Sequence, residues 1–141
     1  MALLDDKIRK DIGEVLKAMG SGVRLVSFTQ DFECHSCSDT RTLISELASV
    51  SDKLSHEVYD LVADKAKADE LGVDKVPATV VARDGAARVR FYGIPAGYEF
   101  ATLLEDIVSL SHDDSGLTEE SREKLVKVDK PVHLQVLVTP T

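Results

Sequence analysis

The chain has 141 residues, 43% of them apolar and 30% charged, enough for one ordinary domain with a real core and too apolar for a disordered tail. Its net charge of −8, with 17 basic residues scattered among 25 acids, argues against nucleic-acid binding, because phosphate contacts need clustered Lys and Arg. No apolar run reaches the roughly 18 residues that span a bilayer, and the opening Met1 to Lys7 lacks the basic-then-apolar order of a secretory signal, so a cytoplasmic protein with no membrane partner is expected.

Leu4, Ile8, Ile12, Val15, Leu16 and Met19 fall at helical spacing and close on Gly20-Ser21-Gly22, which predicts an amphipathic helix with a glycine stop. Val23 to Thr29 is a β-branched and aromatic run, hence a strand. After Cys34-His35-Ser36-Cys37, a second helical period runs through Leu43, Ile44, Leu47, Val50 and Leu54. The cysteines therefore sit where a strand gives way to a helix, and that helix is expected to begin at or near Cys34. His56 to Val62 reads as a second strand, and Lys65 to Leu71 as a short helix closed by Gly72. Ala78 to Ala82 and Arg88 to Tyr92 read as a hairpin around Asp84-Gly85. Gly93-Ile94-Pro95-Ala96-Gly97 interrupts the chain before a helical face of Phe100, Leu103, Leu104, Ile107 and Val108. The order α-β-α-β-α-β-β-α predicts an α/β unit over residues 1–111, a mixed four-stranded sheet flanked by helices on both faces.

Residues 112–141 read as a tail: a linker through Gly116, a helix from Leu117 to Val128 and a strand from Val132 to Val138. Helix then strand is how the chain began. Leu4 to Arg9 is similar to Leu117 to Arg122, and Val23 to Val26 to Val132 to Gln135. The expectation is a second unit cut off after its first strand. An unpaired strand is an exposed edge, so a homo-oligomer formed through this tail is expected.

Two cysteines three residues apart close too short a loop to staple a fold, because the entropy a crosslink removes grows with loop length. Their proximity points to chemistry instead. Zinc uses the same spacing but wants four ligands, and this chain has no third cysteine, with His35, His56, His112 and His133 scattered. No metal and no cofactor are therefore assigned; a metal or cluster shared between two chains stays an alternative. Thiol–disulfide exchange needs a stabilised thiolate, and a helix amino terminus supplies unpaired N–H groups and partial positive charge. Position makes Cys34 the exposed nucleophile and Cys37 the more buried resolving thiol. His35, as an imidazolium, favours the Cys34 thiolate against Asp31 and Glu33, or is a plain loop residue. Ser36 donates a hydrogen bond to sulfur, or is only small enough to start a helix. Val76-Pro77 opens a strand, which a trans edge proline alone explains.

With the cysteine window and Val76-Pro77 together, the chain resembles the thioredoxin superfamily. That resemblance implies a cis Pro77 beside the Cys34–Cys37 pair, and substrate binding by the backbone at Val76. More narrowly, Val58 to Asp60, Pro77-Ala78-Thr79, Phe91 to Phe100 and Leu104 to Val108 resemble the tandem protein disulfide oxidoreductases of archaea and thermophilic bacteria, built from two fused thioredoxin-fold units. Val138-Thr139-Pro140-Thr141 resembles the segment before their second cysteine pair. The N-terminal domain of the AhpF component of alkyl hydroperoxide reductase is also double, with a Cys-His-x-Cys pair in its second unit. The chain departs from the glutaredoxin-like Cys-Pro-Tyr-Cys and from Trp-Cys-Gly-Pro-Cys, and Phe28 falls near where thioredoxin buries an acid. Redox poise and glutathione use stay open on those differences. The resemblance implies a glutaredoxin-like protein-disulfide oxidoreductase acting in cell redox homeostasis on protein disulfides, with a thioredoxin-reductase-like electron donor and a peroxiredoxin as a further candidate partner. A second reading makes the chain a non-catalytic docking unit of a larger redox protein, such as a peroxide-reductase-like electron relay.

Overall fold

The computed structural model describes residues 2–139. Nine elements follow one another: α1 (Asp6–Leu16), β1 (Val23–Thr29), α2 (Cys37–Ala48), β2 (Leu54–Asp60), α3 (Lys65–Leu71), β3 (Ala78–Arg83), β4 (Ala86–Tyr92), α4 (Tyr98–His112) and α5 (Glu119–Leu125). The sheet runs β2-β1-β3-β4, with β1 parallel to β2 and antiparallel to β3, and β3 antiparallel to β4. This is the expected mixed four-stranded sheet.

Alternation along the central strands sends side chains into two cores. Val23, Leu25 and Val81 point to the face covered by Ile12 and Leu16 of α1, Leu43, Ile44 and Leu47 of α2, and Leu103 and Ile107 of α4. Val26, Phe28, Ala78, Val80 and Ala82 point to the other face, under Ala68 and Leu71 of α3. Burial on both faces explains why the apolar residues of β1 and β3 do not alternate with exposed ones, whereas edge strand β4 alternates half-buried and exposed.

Side chains set the element ends. The Asp5 carboxylate accepts the Ile8 N–H at 2.8 Å and caps α1, so Leu4 and Met19 lie outside the helix while staying buried in the same core. β2 starts at Leu54, not His56, because its ladder follows β1 from Val23↔Leu54 to Thr29↔Asp60. It stops short of Val62 because the Asp60 carboxylate takes the N–H groups of Val62 and Ala63 at 2.9 and 2.8 Å and turns the chain. Gly72 closes α3 at φ +65°, and a Cβ there would meet the Arg90 guanidinium at 3.0 Å. β4 begins at Ala86, two residues before Arg88, because a register shift at Val81/Ala82 brings Ala86 and Ala87 into the ladder.

The tail differs most. α5 is shorter than Leu117 to Val128 and buries nothing, and its ties are local, Arg122 to Asp114 at 2.8 Å and to the Leu117 carbonyl at 3.1 Å. Residues 132–138, expected as a strand, carry no ladder and lie exposed, Leu134 at 85% and Leu137 at 89%. β-propensity measures fit to a neighbouring strand, and here no neighbour is present among the described residues.

The two regions should answer substitution differently. Ile44→Ala removes a fully buried side chain and should lower unfolding free energy by about 2–5 kcal/mol. Leu134→Ala should change it by less than about 0.5 kcal/mol. Urea unfolding followed by circular dichroism measures both.

Candidate functional site

The site stands at the carboxyl end of β1. Beyond Thr29 the chain makes a loop in which the Gln30 amide donates to the Phe32 carbonyl at 2.7 Å and Glu33 sits at φ +54°. A left-handed residue other than glycine costs about 1–2 kcal/mol. The helix begins three residues later than expected, at Cys37, with Ser36 in the cap position. The first backbone bond of α2 runs from Thr40 N–H to the Ser36 carbonyl at 2.9 Å, and the Thr40 hydroxyl donates to the same oxygen at 2.7 Å. The N–H groups of the first turn thus include those of Cys37, Ser38 and Asp39, and the disulfide holds both sulfurs at this end of the helix dipole.

Cys34 and Cys37 are joined in a disulfide with Cα atoms 5.5 Å apart. Cys34 is half-buried and Cys37 is 3% exposed, so an incoming sulfur reaches only the first. His35 is exposed. The Ser36 side chain makes no capping bond, and Ser36 serves the helix through its carbonyl instead. The cavity at the disulfide, of about 110 Å³, is lined by Thr29, Gln30, Asp31, Cys34, Cys37, Ser38 and Arg41.

The Val76–Pro77 peptide is cis, Pro77 is buried, and its carbonyl accepts the Gly93 N–H at 2.9 Å. Pairing of Phe28 with Ala78 carries Pro77 to the end of the sheet from which the cysteine loop leaves. Val76 and Pro77 share that end with the disulfide, although neither lines its cavity.

A polar row beneath α2 escaped sequence reasoning. Ser27, 2% exposed, bonds through its hydroxyl to His56 Nε2 at 2.8 Å across β1 and β2. On its other side Ser27 pairs with Thr79, whose fully buried hydroxyl lacks a hydrogen-bond partner among the described residues. Period-two alternation in β1, with Leu25 and Ser27 on one face, was the available signal. Phe28 points to the opposite face, stacked against Tyr59 at 5.8 Å. Burial holds the His56 imidazole below its ordinary value against the opposing pull of Glu57.

No family model matches the chain, and no curated protein matches it. Solved structures do. A protein disulfide oxidoreductase from Aeropyrum pernix K1 superposes with a TM-score of 0.79 at 32% identity, over 87% of this chain and 54% of that one. The chain has the thioredoxin fold. The alkylhydroperoxide reductase component AhpF of Enterococcus faecalis shares it at TM-score 0.75 and 21% identity, over 90% of this chain and 62% of that one. A Halobacterium salinarum thioredoxin follows at 0.51 and 21% identity, over 77% of this chain and 86% of that one. The chain thus spans little more than half the length of the oxidoreductase and of AhpF. The oxidoreductase bears out the resemblance read from the cysteine window and Val76-Pro77, and AhpF and the thioredoxin share the fold.

The lowered His56 value makes a pH prediction. Between that value and about 6.5 the unfolded chain binds a proton that the folded chain refuses, so stability is full above pH 6.5 and falls as pH drops through this window. Urea midpoints at pH 7.5 and 5.5 should therefore differ more for the wild type than for His56→Gln. Equal differences would show that the buried imidazole does not contribute.

Proposed function

We propose that the chain is a thiol–disulfide oxidoreductase module exchanging its Cys34–Cys37 couple with disulfides of protein clients. The observation that carries this reading is the asymmetry of the bond: one reachable sulfur and one buried sulfur at the head of a helix, in a thioredoxin fold shared with a protein disulfide oxidoreductase. In the reducing direction the Cys34 thiolate attacks a client disulfide, forming a mixed disulfide and releasing one client thiolate. Cys37, as thiolate, then attacks the Cys34 sulfur, restores the internal bond and expels the second client sulfur. The unpaired N–H groups of the first turn of α2 favour the Cys37 thiolate at that moment.

Other residues take supporting parts in this exchange. The backbone at Val76, before the buried cis Pro77, receives an extended client segment. His35 and Ser36 tune the sulfurs: the exposed imidazole lies between the two cysteines, and the Ser36 carbonyl anchors the helix start. A thioredoxin-reductase-like donor recycles the couple, and a peroxiredoxin is a partner in the manner suggested by the similarity to AhpF. The module acts in the cytoplasm. The tail beyond α4, which ends at His112, is read here as the start of a second unit; α5, which buries nothing, and a sheet that β1 to β4 form without it support that reading. The exposed Val132, Leu134, Val136 and Val138 make the tail the contact for a second copy.

Reduction of insulin disulfides by dithiothreitol should be accelerated by the wild type and fall to the uncatalysed rate with Cys34→Ser. Cys37→Ser should accumulate a mixed disulfide visible as added mass. Equal rates for wild type and Cys34→Ser would refute turnover by this chain. Sedimentation at rising concentration should show association that deletion of residues 129–141 abolishes; a monomer at every concentration would remove the tail as a contact.

A further inference from the structure

A second cavity, of about 300 Å³, lies next to the one at the disulfide, and the two share a single lining residue, Arg41. Cys37, Arg41 and Ser45 follow at intervals of four along α2 and therefore lie on one flank of the helix; Arg41 and Ser45 line the second cavity with His56 and Val58 of edge strand β2. The two cavities, meeting at Arg41, make an open groove along this flank. A volume of this size is at the lower end of what small-molecule sites occupy.

Charge along the groove is unevenly committed. Glu46 is held below the usual carboxylate range, first by the Leu4 N–H at 2.8 Å, and it also pairs with Arg9 at 3.2 Å. His56 is bonded to Ser27. Arg41 is exposed and has no ion pair or hydrogen bond among the described residues, although Asp31 and Glu46 line the same two cavities. An uncommitted guanidinium one helical turn from Cys37, in a protein of net charge −8, is a specific place for an anion.

We propose that Arg41 recognises the carboxylate of small acid-bearing disulfides and thiols, which lie in this groove with their sulfur at Cys34. This inference rests on the redox function proposed for the Cys34–Cys37 couple and deepens it by naming a substrate class. The reduced Cys34 thiolate attacks one sulfur of R–S–S–R, whose bond breaks, and one R–S⁻ leaves. The Cys37 thiolate then attacks Cys34, forms the internal disulfide and expels the second R–S⁻. Two electrons pass from the dithiol to the ligand, and the two cysteine protons end on the two released thiolates. Arg41 forms and breaks no bond; it holds the carboxylate by a charge-assisted pair of N–H groups.

The test measures second-order oxidation of the reduced full chain by dithiodipropionate, by neutral bis(2-hydroxyethyl) disulfide and by cationic cystamine. The wild type should prefer dithiodipropionate to cystamine. Arg41→Gln should lower the ratio of the acid rate to the neutral rate about threefold to fivefold, as expected for an ion pair open to solvent. The neutral rate should stay within about twofold, which also reports an intact fold, and added salt should shrink the wild-type ratio because the groove is open to solvent. An unchanged ratio in Arg41→Gln, or a wild type that favours cystamine over the acid, overturns the proposal while leaving the redox reading intact. A wild type that none of the three oxidises refutes the redox reading, and this proposal with it.

Discussion

β1 is the constraint on which the redox end depends. It is paired with β2 from Val23 to Thr29 and with β3 from Arg24 to Phe28, and is packed on both faces. Its middle residues are thereby held by two ladders and by packing at once. Its last residue, Thr29, is still tied by its carbonyl to the Leu61 N–H at 3.0 Å. The cysteine loop consequently leaves a point that cannot shift without disturbing both cores. Pro77 enters the same frame through the antiparallel ladder, because Phe28↔Ala78 is the last pair before the loop. A disulfide and a proline far apart in sequence reach one end of one sheet through a single strand.

Much of this was legible, because the responsible residues report on burial. The apolar residues of Val23 to Thr29 and Ala78 to Ala82 bury because both faces are covered, and the helical stripes match the residues that bury in α4 and, as far as Leu47, in α2; Val50 and Leu54 fall beyond α2, which ends at Ala48, and Leu54 opens β2. Ends were less legible. Asp5, Asp60 and the bulge at Val81/Ala82 set boundaries through single hydrogen bonds or one register shift, signals that a periodicity window of about ten residues averages away. The tail fails for a different reason. Val132 to Val138 has the alternation of a strand, but pattern records what a segment can pair with, not whether a partner is present.

At the site, residue types were legible and their setting was not. Cys34 and Cys37 were found by spacing, and Pro77 by resemblance. The helix start was misplaced by three residues: α2 begins at Cys37, after a loop in which Glu33 adopts a left-handed backbone that its side chain does not announce. Ser27, His56 and Arg41 passed unnoticed for a related reason. Each becomes notable only through a neighbour distant in sequence: Ser27 through His56 at 2.8 Å, and Arg41 through the cavities it joins.

The displaced helix start bears on the chemistry. The proposed exchange needs a thiolate at each sulfur in turn. Beginning at Cys37, α2 brings its terminal N–H groups and partial positive charge to the couple, and they matter most for the buried sulfur, which otherwise suffers the full desolvation of a thiolate away from water. A buried thiol without such support would resist ionising, and the mixed disulfide on Cys34 would persist. The half-exposed Cys34 needs less help, since it is open to water and flanked by exposed His35. In the proposed exchange the helix end thus gives electrostatic support to a sulfur that solvent does not reach, while Cys34 keeps its access to water.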